Sequence, residues 1–284
     1  MFERIRRSIE LVKASWRILM SDRKLLVFPF LSGIVTLFVI ATFILPLIFA
    51  GGAFSLAANS IAGIILIFLF YLATSFVVIF FNVGLISCVC AHMQGKEMTI
   101  GEGLQSAFGK VKPILAWSVI SATVGLILNM IEDRTGAAGG IATALVGGAW
   151  SLVTFFVVPV FVFEGIGVIE AIKESWSLFR KTWGESVVGT VSITFVFVAI
   201  GIIGFLLVLA TLFSGNILVF LAALALFIIF VAILAIIASA MQGIFVAILY
   251  MYAKNGIIPD GFDKSLVSGA FGQAPSNQFS PGNI

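Results

Sequence analysis

Apolar residues along the 284-residue chain gather into long unbroken runs and do not alternate with polar ones. A helix needs roughly 20 apolar residues to cross about 30 Å of hydrocarbon. Six runs meet or approach that length: residues 28–49, 61–91, 114–131, 141–163, 186–213 and 217–253. They are too long for barrel strands and lack the alternation a membrane barrel requires. The expected fold is therefore all-α, a polytopic membrane protein with six transmembrane helices. The third run is short. The second, fifth and sixth exceed one crossing and must tilt, break or project into water. Gly51-Gly52, residues 135–140 and Ser214-Gly215-Asn216 read as breakers between paired spans. Some 27 mostly amphipathic residues precede the first run, which is too long for a signal peptide; it reads as a retained anchor.

Before each odd-numbered span the period changes to that of an amphipathic helix. Ile5, Ile9, Val12, Trp16 and Leu19 fall on one stripe; so do Ile100, Leu104, Phe108, Val111 and Leu115, and Ile169, Ile172, Trp176, Phe179 and Trp183. Basic amphipathic helices beside spans read as interfacial. The expected membrane-interface residues are Trp16, Phe108, Trp176 and Trp183, with Arg6, Arg7, Lys13 and Arg17. Residues 9–16, IELVKASW, also match residues 169–176, IEAIKESW, at Ile, Glu, Lys, Ser and Trp. A weaker middle copy keeps the spacing from Glu102 to Phe108. Three repeats of interfacial helix plus helical hairpin follow, over about 1–93, 94–165 and 166–254, within a single membrane domain of residues 1–268. Residues 269–284 are polar and rich in Gly, Ser and Pro, and are expected to form a flexible cytoplasmic tail.

Composition excludes a water-soluble enzyme: 61% of residues are hydrophobic and 10% charged, against about 25% charged in soluble domains. The net charge of +3 is too small to imply nucleic-acid binding. Its placement is more informative. Fifteen of the 16 Lys and Arg residues lie before span one, between spans two and three, between spans four and five, or after span six; Arg134 stands alone on the other side. Cytoplasmic loops are enriched in Lys and Arg, so both termini are expected in the cytoplasm, in a plasma (inner) membrane.

The segments ELVKASWRILMSDRKLLVFPFLSGI, VFVFEGIGVIEAIKESW and AILYMYAKNGIIPDGFDKSLVSGAF resemble the opening, middle and close of a prokaryotic six-span membrane family annotated only as a domain of unknown function. More loosely, the helix-then-span unit is similar to the membrane domain found beside some glycerophosphodiester phosphodiesterases. The catalytic portion of those enzymes is absent here, so the resemblance carries no activity with it.

Chemistry-bearing residues are few. Cys88, Cys90 and His92 form a C-x-C-x-H string, but residues two apart on a helix point about 200° apart. No second pair of such ligands exists, so no metal and no cofactor is expected. Asn82, Asn129, Gln242 and Glu164 are the expected intramembrane polar contacts; amides at such depth commonly join helices, and an ionisable group there is a functional candidate. Pro46 and Pro159 can kink their helices. There is no Walker loop, His-Glu-x-x-His string or G-x-S-x-G elbow, and His92 is the single histidine. No catalytic residue is expected. The sequence points to a non-catalytic membrane protein that organises lipids or a membrane complex through cytoplasmic interfacial helices. Its expected partners are membrane lipids, a second copy or another membrane protein, and no nucleic acid. The alternative is a channel or transporter for a small solute.

Overall fold

The computed structural model describes residues 2–49 and 61–255; for 2–8, 47, 49, 133–139, 142, 214 and 255 it describes the backbone alone. Gly51-Gly52 and the 269–284 tail therefore lie outside the described residues, as do the side chains of Arg6, Arg7 and Arg134. The described residues form eight α-helices: α1 Phe2–Ser21, α2 Val27–Phe49, α3 Ile61–Met93, α4 Ile100–Gly109, α5 Val111–Val153, α6 Val157–Glu164, α7 Val168–Ala210 and α8 Ile217–Asn255. Short 3-10 turns, Arg23–Leu26 and Thr211–Ser214, bridge α1 to α2 and α7 to α8, and no strand occurs among the described residues. Six stretches are long and apolar enough to cross a membrane: Arg23–Pro46, Ile61–Met93, Val111–Glu132, Thr143–Glu164, Val168–Phe213 and Ile217–Lys254. Each run expected from the sequence has its counterpart among them.

Residues 135–140, expected as a breaker between spans, have helical backbone, so that α5 spans Val111–Val153. It is nonetheless two antiparallel limbs. The rings of Trp117 and Trp150 stack at 5.6 Å, and Leu128 lies beside Gly147. Along one straight helix the two Trp residues would stand about 50 Å apart. The reversal therefore falls between Leu128 and Gly147, and spans three and four pair as a hairpin. Span four is itself interrupted at residues 154–156, between α5 and α6. Pro159 explains the position: it has no N–H to offer the Phe155 carbonyl one turn back, and its ring crowds that carbonyl. Gly165, with φ 59, then ends α6 in the left-handed region and turns the chain into α7.

The core sits at the end of the bundle where the basic segments lie. Val83, Leu85, Phe156, Phe161, Phe245 and Tyr250 are among its buried side chains. Lipid tails are as apolar as Leu, so burial as such does not drive spans together; close packing and hydrogen bonds do. Glycines supply the closeness. A methyl group on Gly84 would meet the Phe28 ring at 2.7 Å and the Gly103 carbonyl at 3.3 Å, and one on Gly103 would meet Cys88 Sγ at 2.6 Å. α3 and α4 can touch at that point only because neither residue carries a side chain.

α1 and the first half of α7 are buried at matching places. Leu11 and Ala171, Ser15 and Ser175, Ile18 and Leu178, and Leu19 and Phe179 are all buried. Helical geometry fails at matching places too: at Asp22 (φ −130, ψ 85) and at Thr182 (φ −118, ψ 17), each six residues after a Trp. Lys110 (φ −112, ψ 17) marks a similar break between α4 and α5. Six residues before it stands Leu104, and Phe108 lies one turn further on.

Candidate functional site

Two places in the described structure gather the residues singled out by sequence: the surface around α1, and a polar seam at the end of the bundle where the basic segments lie. α1 packs against α7 and α8, with Leu11, Ala14, Ser15, Ile18 and Leu19 turned inward. The sequence stripe through Ile9, Val12 and Trp16 is not this buried face. It straddles the edge of that face: Leu19 is buried and Val12 packs against the core, while Ile9 and Trp16, with neighbouring Met20, are partly exposed. These side chains overhang a cleft of about 850 Å³ whose far wall is Val196 and Ile200 of α7 with Leu234 and Ile237 of α8. Lys13 and Arg17 stand among its lining residues, one turn apart on α1. Glu10 Oε1 accepts from Lys13 Nζ at 2.9 Å.

The other aromatic residues named from sequence sit in comparable half-covered settings. Trp16 is 46% exposed and Trp176 40%. Trp176 stacks on Phe179 with ring centroids 6.0 Å apart, and the Arg180 guanidinium lies over it at 5.8 Å. Phe108 meets Phe80 edge-on at 4.9 Å. Trp183, immediately after the Thr182 break, is exposed. Of the three related carboxylates, Glu102 serves its own helix. Thr99 N and Oγ1 donate to Glu102 Oε2 at 2.7 and 2.8 Å, and Thr99 Oγ1 accepts from Glu102 N at 3.3 Å. This capping box satisfies the first orphan donors of α4. The backbone N–H of Thr99, then its hydroxyl, holds the Glu102 carboxyl below its ordinary range. Glu170 likewise folds back on Gly167 at the start of α7, whereas Glu10 lies mid-helix in its pair with Lys13.

The polar seam was only partly legible. Asn82 and Gln242 do come together. With Ser239, Phe155 and Pro159 they line a cleft of about 200 Å³ at the interruption of span four. Gln242 Nε2 donates to Thr194 Oγ1 at 3.4 Å. Asn129 is half-buried on α5 and does not line this cleft. Glu164 is the hub of a cluster the sequence reading missed. Tyr250 Oη donates to Glu164 Oε1 at 2.8 Å, and Lys254 Nζ reaches Glu164 at 3.0 Å and Glu174 at 2.6 Å. The signal available was positional: Glu164 and Lys254 both close apolar spans.

Ser175 was also missed. Its Oγ donates to the Val153 carbonyl at 2.7 Å and accepts from Phe156 N at 2.9 Å, repairing the interruption of span four from a neighbouring helix. The serine shared by IELVKASW and IEAIKESW was the available hint. Cys88 and Cys90 are both buried. Cys88 Sγ points at the Thr99 carbonyl, 3.8 Å away, whereas His92 is exposed. Among the described residues, no three His, Cys, Asp or Glu side chains converge as a metal site would require.

The arrangement defines a polytopic helical membrane protein with α1 packed against its last two helices. Residues 61–260, or 200 of the 284, match the family of unknown function DUF6159, and the chain belongs to that family. No curated protein matches the chain, and no solved structure does. The looser likeness to the membrane domain of glycerophosphodiester phosphodiesterases gains no support from these comparisons.

Proposed function

We propose that this protein is a non-catalytic organiser of lipids, or of a membrane complex, at the cytoplasmic face of the plasma (inner) membrane. Three units of interfacial helix plus hairpin, over about 1–93, 94–165 and 166–254, would present aromatic and basic side chains to the headgroup layer, with both termini in the cytoplasm. The observation that carries this reading is the shared pattern of α1 and early α7. Leu11, Ser15 and Ile18, like Ala171, Ser175 and Leu178, face protein, while Trp16 with Lys13 and Trp176 with Lys173 face outward. Trp suits the headgroup boundary, with its apolar ring and one N–H donor. The one-sided distribution of Lys and Arg supports the orientation.

The test is replacement of Trp16 and Trp176 together by Ala in the full chain, reconstituted in liposomes containing anionic lipid. Retained lipid or copurifying membrane protein should fall, with helix content unchanged. Unchanged lipid and partner recovery would sink the proposal. Cysteines placed at Ser265 should label only from the inner side, and labelling from outside intact cells would reverse the orientation.

A second reading, passage of a small solute, is favoured by one observation: Asn82 and Gln242 share a cleft with the interruption of span four. Transporters do bind substrates at broken helices. Solute flux or conductance in the same liposomes, lost on Gln242→Leu, would favour that reading over the first.

A further inference from the structure

α1 has two apolar sides, and packing uses one of them. The side packing leaves open, with Ile9, Trp16 and Met20, roofs the 850 Å³ cleft against α7 and α8, where Val12 passes from cleft to core. We propose that this cleft holds one acyl chain of an anionic phospholipid, with the phosphate at Lys13 and Arg17; the assignment deepens, and rests on, the lipid-organising reading.

Three features select this occupant. The first is polarity along the cleft. Lys13 and Arg17 stand on α1, which packs beside the inner ends of the spans, while the α7 wall descends from Ser192 through Val196 to Ile200. Eight helical residues cover about 12 Å, so the apolar wall reaches well into the hydrocarbon. A head at one end and a tail beneath it is the shape of a lipid, and it fits neither a soluble metabolite nor a flat helix–helix interface. The second feature is charge. α1 carries Arg4, Arg6, Arg7, Lys13 and Arg17 against Glu3 and Glu10, which favours an anionic head over a zwitterionic one. Lys13 is paired with Glu10 at 2.9 Å in an exposed i,i+3 contact, which a phosphate would displace or share. The third is volume: the cleft falls within the range of about 300–1,000 Å³ typical of small-ligand sites. Trp16 adds an indole at the boundary between head and tail, able to stack on the chain and donate to an ester carbonyl.

The experiment places the full chain in nanodiscs of zwitterionic lipid doped with phosphatidylglycerol or phosphatidylcholine brominated on the acyl chains. The readout is the quenching contributed by Trp16, taken as the difference between the unmodified protein and Trp16→Phe. Brominated phosphatidylglycerol should quench at lower mole fraction than brominated phosphatidylcholine, by about five-fold for each cation engaged. Lys13→Gln with Arg17→Gln should erase that preference. Val196→Trp, which fills the cleft, should abolish quenching at low mole fraction. Val198→Trp, on the same helix but outside the cleft, should leave it intact and controls for folding. Equal quenching by the two lipids, or quenching untouched by Val196→Trp, overturns the assignment. So does efficient cross-linking of Ile200→Cys between two copies, which would make a second protein chain the occupant. The cleft and the broader reading fail separately: if cleft quenching is unselective while Trp16→Ala with Trp176→Ala still loses lipid association, the interfacial helices organise lipid without a lodged chain.

Discussion

Along residues 217–239 of α8 no side chain is buried, whereas along residues 240–252 only Gln242, Gly243 and Val246 escape burial. α3 repeats the contrast: along residues 61–76 only Gly63 is buried, while residues 83–90 are all buried. Both halves of α8 are apolar, so apolarity does not distinguish them. The inner half differs in having small residues where neighbours arrive and polar groups that close hydrogen bonds. Gly189 receives the ring of the buried Phe245, Gly243 receives Leu85, and Ser175 mends the interruption of span four. In a bilayer, where lipid competes on equal terms for apolar surface, such details decide which halves pack. The outer halves are left facing lipid, and the cleft under α1 opens where the two regimes meet.

The sharpest way to break this comparison is to fill the small places. A side chain at Gly189 would run into the Phe245 ring, which is fully buried and has nowhere to go. Gly189→Val should destabilise by about 3 kcal/mol or more, read as a large fall in thermal midpoint in detergent. Gly201, on the same helix in the outer half, has no neighbour nearer than Leu234 at 3.9 Å. Gly201→Val should stay within about 0.5 kcal/mol of the parent. Equal losses at the two sites would mean that the outer half packs as tightly as the inner.

Ser175 and Ser15 occupy matching places and are both buried, but their duties differ. Ser15 Oγ bonds the Leu11 carbonyl of its own helix, while Ser175 bonds two backbone groups of another segment. Ser175→Ala strands a buried N–H and a half-buried carbonyl and should cost about 2–3 kcal/mol. Ser15→Ala strands neither and should cost under about 1 kcal/mol. The same ranking should appear in amide exchange at Phe156, which opens when Ser175 is lost. Comparable costs would show that position, and not bonding, governs both serines.

The Glu164 cluster closes the inner half at its rim. Glu164→Gln removes the charge that holds Tyr250 and half of Lys254's pairing. Lys254 keeps Glu174 and is itself 36% exposed, so solvent screens much of the change. The expected loss is about 1 kcal/mol, measured by thermal unfolding and reduced further in high salt.

How much of this was readable beforehand follows from what carries the information. Six spans were legible because crossing length and apolarity are properties of each segment alone. The stripe of Ile9, Val12, Trp16 and Leu19 was legible as a helix, but only Leu19 and part of Val12 turned out to face protein. Its periodicity fits two adjacent faces of α1, and which one packs depends on α7 and α8. The reversal around residues 135–140 was legible from its glycines and alanines, but that the backbone there keeps helical hydrogen bonding was not, because those residues suit a turn as well as a helix. Asn82 and Gln242 were recognised as polar residues at depth, yet their meeting beside Pro159 required knowing that spans two, four and six are neighbours. Ser175 is the clearest case of missing information: it stabilises a defect in another span, and no local pattern announces a long-range repair.

The smallest expected effect concerns α4, which lies against the inner end of α3 but starts in an exposed turn. Glu102 is fully exposed, so its contribution is read best as local protection rather than global stability. Its carboxylate accepts from the backbone N–H and the hydroxyl of Thr99, which lowers its pKa from the ordinary value of 4.5. A group with a lowered folded pKa contributes fully above its unfolded value, and the contribution fades as pH falls through the lowered one. Amide exchange in the first turn of α4 should therefore be slowed near neutral pH. Once the intrinsic pH dependence of exchange is removed, that protection should drop on acidification below 4.5. Glu102→Gln should weaken the cap at neutral pH and flatten the pH response, because an amide still accepts a hydrogen bond but does not titrate. Thr99→Ala removes the other half of the box, including the hydroxyl donor to the carboxylate, and should cost the α4 start about 1 kcal/mol near neutral pH and less on acidification. In both variants, exchange in residues 240–252 of α8 should be unchanged. If loss of the cap loosened that stretch as well, α4 would be a keystone of the inner core, and the boundary between tight and open halves would have to be redrawn at Gly103.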